Sequence, residues 1–154
     1  MRRILAALCA AGLVGGALSA CESAADKAAE HRLDKVADQS TCRADAKPAP
    51  TPYGADFPDS WPFPAKTTVF HAEDRSGTGT IVTAVSDTRF KQILGFLNRE
   101  VQGAGFKVTS GETEEHDAEA NWTGNGFTGR WAIRESANCP GETVIQVLAA
   151  RGNG

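Results

Sequence analysis

The Asn125-Gly126 pair, with alternating segments on either side, constrains this chain more than any other feature. Asn and Gly accept the positive φ angles of a type I′ turn, whose twist suits a two-residue hairpin loop. Taking the pair as the loop fixes the register of both strands. Gly124 then faces Phe127, Trp122 faces Gly129 and Ala120 faces Trp131, with Ile133 continuing the same side. Each tryptophan stands opposite a small residue, a packable large–small alternation. The other side carries Asn121, Thr123, Thr128, Arg130 and Arg134, a face suited to water. The same register sets Asp117 opposite Arg134 as a cross-strand ion pair.

The surrounding segments extend this hairpin into a domain. Thr67 to Ala72 is rich in β-formers, Asp74 to Gly77 is turn chemistry, and Thr78 to Val85 reads as a second strand. Ser86 or Asp87 can cap a helix whose Phe90, Ile93, Leu94, Leu97 and Val101 form one buried stripe. Gly103 and Gly105 end it, Phe106 begins another strand, and Thr143 to Ala149 supplies the last. The fold class is α+β: an antiparallel sheet of about five strands with one amphipathic helix on one face, over residues 57–150.

Six of the seven prolines, at 48, 50, 52, 58, 62 and 64, fall in residues 43–65, ahead of the first strand. Proline removes backbone donors and fixes φ, so residues 21–56 read as a tether and an extended linker. Ala29, Leu33 and Val36 give residues 22–40 only a weak helical stripe. Tyr53, Phe57, Trp61 and Phe63 are expected to dock the later part of the linker onto the domain, because exposed aromatics are a liability.

The first 20 residues have the parts of an export signal: Arg2 and Arg3, an apolar run from Ile4, then Leu18-Ser19-Ala20-Cys21. Leu18 at −3 suits a lipoprotein peptidase that cuts before Cys21, whose thiol then carries a diacylglyceryl group. Ordinary cleavage after Ser19 is the competing reading. An uncleaved anchor would fall short of the ~20 residues of a full span. Cys9 is then discarded with the signal, and Cys42 and Cys139 remain as an even pair in an oxidising compartment, where a disulfide is the default. Closing a loop of about a hundred residues is worth about 4–5 kcal/mol on the chain-entropy model.

The formal charge is −3, and without Arg2 and Arg3 it becomes −5, with 14 basic against 19 acidic groups. No basic patch invites nucleic acid, and membrane association rests on the acyl chains at Cys21. Gly124-Asn125-Gly126-Phe127-Thr128-Gly129 matches G-x-G-x-x-G, but a strand follows it where a dinucleotide site needs a helix. The acidic stretch Glu112, Glu114, Glu115, His116, Asp117 and Glu119 lacks cation-loop spacing and reads as a solvated loop. His31, His71 and His116 are scattered, and no nucleophile or zinc motif appears. Neither a catalytic residue, a metal ligand nor a cofactor is expected.

The stretch from Phe57-Pro58-Asp59-Ser60-Trp61-Pro62-Phe63-Pro64 into a strand, the helix ending in Gly103-Ala104-Gly105-Phe106, and Trp122-Thr123-Gly124-Asn125-Gly126 resemble a group of small uncharacterised actinobacterial lipoproteins. The resemblance covers roughly residues 57–149 plus the signal, and it implies a fold and a cell-envelope location without an activity. The expected function is a non-catalytic binding module, lipid-anchored on the extracytoplasmic side of the cell membrane. Its face of Asn121, Thr123, Thr128, Arg130 and Arg134, or the linker groove near Trp61, would meet an envelope protein or the cell wall. A small extracytoplasmic hydrolase or metal-dependent enzyme, and a structural homo-oligomer, are the alternatives.

Overall fold

The computed structural model describes residues 41–75 and 77–152. The signal, Cys9, Cys21, the weak helical stripe and His31 lie outside the described residues. Six strands and one helix follow in chain order: β1 (Thr67–Asp74), β2 (Thr80–Ser86), α1 (Phe90–Gly103), β3 (Lys107–Thr113), β4 (Asp117–Gly124), β5 (Phe127–Glu135) and β6 (Thr143–Arg151). The strands form one sheet in the order β1-β2-β6-β5-β4-β3, and all neighbours are antiparallel. The sheet has six strands where the sequence predicts about five. The extra strand arises because residues 106–124 fold back on themselves. The Glu114 N–H donates to the Asp117 carbonyl at 2.8 Å and closes a tight turn within the acidic stretch.

The strand order explains the helix. β2 and β3 lie four places apart, so the chain must cross about 19 Å of sheet at ~4.8 Å per strand. A 14-residue helix at 1.5 Å per residue provides about 21 Å. Phe90, Ile93, Leu97 and Val101 are buried against the sheet. Neither Ser86 nor Asp87 caps the helix. Ser86 is the last residue of β2, and Asp87 donates its N–H to the Lys66 carbonyl. Arg89 is the N-cap residue, and its carbonyl accepts from Gln92 and Ile93. The C-terminus is a Schellman motif: Gly105, at φ 89°, donates to Gln102, and Phe106 donates to Val101.

The inner face of the sheet packs Val82, Ala84, Ala120, Trp122, Trp131, Ile133, Ile145 and Val147 against this helix and the proline-rich segment. Trp61 reaches furthest, with its ring 4.6 Å from Trp122 and 5.2 Å from Phe106. Tyr53, Phe57 and Phe63 form a ring cluster at 5.7 to 6.3 Å, and both Phe57 and Trp61 are buried. The expected docking of the aromatic linker is therefore present. Cys42 and Cys139 are disulfide-bonded across 97 positions, with Cα atoms 5.7 Å apart. Among the described residues no helix is long and apolar enough to cross a membrane.

Candidate functional site: the outer face of the sheet

The Asn125-Gly126 turn positions the candidate site. Asn125 and Gly126 have φ of 52° and 79°, and the observed register pairs Gly124 with Phe127, Trp122 with Gly129 and Ala120 with Trp131, as the sequence predicts. Gly129 is required by the packing: a Cβ there would lie 2.5 Å from Cζ2 of Trp122. With the tryptophans held inward, the pleat turns Asn121, Thr123, Thr128, Arg130 and Arg134 to the face opposite the helix.

Two ion pairs hold the arginines. Arg134 donates from Nη2 to Asp117 Oδ2 at 3.2 Å, in the expected directly opposed register. Arg130 pairs through Nη2 with Glu119, one step diagonal to it. Both pairs are partly buried, which limits screening by solvent. Asn121 donates from Nδ2 to Ser110 Oγ at 3.1 Å, while Thr123 and Thr128 donate to backbone carbonyls. All five candidate residues thus lie on one surface, and each side chain has a partner that orients it.

Sequence reasoning missed the other half of this surface. In register, Ile81, Leu148, Arg130, Asn121 and Ser110 form one row across five strands. Leu148 is 37 % exposed, the one exposed large hydrophobic side chain among the described residues. The row therefore runs from apolar on β2 and β6 to charged and polar on β5, β4 and β3. The missed signal was the strand order, which brings β6 beside β5.

Among the described residues the remaining titratable groups do not converge. His71 stands exposed on β1, opposite Thr83. His116 sits in the β3–β4 turn at the far end of the sheet order, with Nδ1 3.0 Å from Glu135 and Nε2 3.7 Å from Glu115. The acidic stretch is divided: Asp117 and Glu119 are committed to arginines, and Glu112, Glu114 and Glu115 are exposed. Among the described residues one group of three metal-ligand types gathers, Cys42, Cys139 and Glu142. Its two sulfurs are bonded to each other, and the Glu142 carboxylate accepts the Arg43 backbone N–H at 2.8 Å. The G-x-G-x-x-G spacing runs through the β4–β5 turn into β5 and serves the turn and Trp122. No protein-family model, curated protein or solved structure matches this chain.

Proposed function

We propose that the chain is a non-catalytic binding module of the cell envelope, anchored through lipid on Cys21. Its outer sheet face meets a protein or cell-wall partner. The observation that carries this reading is the row Leu148, Arg130 and Asn121: an exposed apolar group beside an arginine and an amide held by fixed partners. Such a surface suits recognition, because ordered side chains lose little entropy on binding and arginine is enriched where binding energy concentrates. The resemblance to actinobacterial lipoproteins and the Leu18-Ser19-Ala20-Cys21 sequence support the location.

In-cell photo-crosslinking tests it. A crosslinking amino acid at Asn121 or Thr128 is expected to capture the same partner from both positions. A probe at Gln92, on the exposed side of α1, serves as the control. Capture of the same random neighbours from all three positions removes the binding-face reading. The anchor is tested separately: Cys21→Ser is expected to release the chain or leave it uncut, and a processed, membrane-bound variant refutes the lipid reading.

A further inference from the structure

We propose that a second copy of this chain pairs edge to edge with β3, antiparallel about a two-fold axis between Thr109 and Ser110. This interaction uses a sheet edge instead of the outer face, and stands apart from the proposed function.

The two edges of the sheet differ. Beside β1 runs the proline-rich segment, where the Ala49 N–H donates to the Val69 carbonyl at 2.8 Å. β3 is the outermost strand at the opposite end. Among the described residues no backbone hydrogen bond reaches β3 from outside β4. An uncovered edge of this kind is a template for another strand.

A β-bulge gives that edge a charge code. Residues five apart in a regular strand point to opposite faces. The register shift between Val108 and Ser110 breaks this alternation. Lys107, Ser110 and Glu112 pair with Thr123, Asn121 and Glu119, so all three belong to the outer face. Antiparallel pairing about the stated axis puts Lys107 of each copy opposite Glu112 of the other, and Val108 opposite Gly111 on the inner face. Both charged residues are exposed, and neither has an ion pair among the described residues. Within one chain Glu112 stands opposite Glu119, a like-charge juxtaposition that an incoming lysine would relieve.

One short strand per copy buries less than about 1,200 Å², which places the dimer in the weak class. The test is sedimentation equilibrium of the full chain in detergent, with micelles in excess, from about 10 μM to about 1 mM. A monomer–dimer equilibrium is expected within that range. Lys107→Glu or Glu112→Lys should each weaken it about tenfold, since each sets like charges opposite one another at two places. Mixing the two single variants should restore association, as should the double exchange in one chain. Both positions are exposed, so unchanged circular dichroism will confirm that the variants fold. Any association through the N-terminal region is common to all variants and cannot produce this pattern. A monomer throughout the range, or association indifferent to the charge exchanges, overturns the proposal.

Discussion

The two faces of the sheet are made from the same strands and obey different rules. On the inner face the side chains alternate in size: Trp122 lies over Gly129, and Trp131 stands opposite Ala120. On the outer face they alternate in charge: Asp117 and Glu119 hold Arg134 and Arg130. The core beneath the inner face holds three buried indole nitrogens without hydrogen-bond partners among the described residues, at Trp61, Trp122 and Trp131. Each costs about 1–3 kcal/mol in lost hydration, and the area buried by three tryptophans offsets it. Shape therefore dominates on one side and polar pairing on the other, so equal substitutions should have unequal effects.

The largest effect should come from the staple that holds the covering segment in place. Replacing Cys42 and Cys139 by serine should cost up to about 4–5 kcal/mol, measured by urea unfolding. Amide exchange should quicken at Ala49, whose N–H bonds to β1. Next, Trp122→Ala should cost about 3–5 kcal/mol, because Trp61 and Phe106 lose their shared partner. Asn125→Ala should cost about 1–2 kcal/mol. It removes both a residue suited to φ 52° and the Nδ2 donor to the Ala104 carbonyl at 2.9 Å. On the outer face, Glu119→Gln should cost about 1 kcal/mol, since the pair with Arg130 is only partly buried. Thr128→Ala should stay within about 0.5 kcal/mol by the same measurement, while affecting partner capture. If the outer-face changes cost as much as Trp122→Ala, the contrast between the faces is wrong.

The β4–β5 register was legible because one local turn dictates it. From that register the Asp117–Arg134 pair followed, and with it the grouping of Asn121, Thr123, Thr128, Arg130 and Arg134 on one side. The helix stripe and its glycine end were legible for the same local reason. Contacts between distant segments were not. The sequence alone does not say that β6 inserts between β2 and β5, which sets Leu148 beside Arg130. One signal was available: TIVTAVS and TVIQVLAAR carry Val, Ile or Leu on both alternating faces, which β4 and β5 do not. The Ser86 or Asp87 cap failed because β2 continues to Ser86. Asn125 gave no local sign that its amide also reaches the helix end at Ala104.

The disulfide also has a mechanical consequence. Tension applied to the chain before Cys42 would not reach the proline-rich segment or β1 first. It would pass through the Cys42–Cys139 bond into the loop between β5 and β6, two interior strands of the sheet. Residues 43–138 lie within the closed covalent loop and are shielded from that load. A pull from the N-terminal side would therefore meet the sheet at its centre, and the β1 edge could not be peeled away strand by strand.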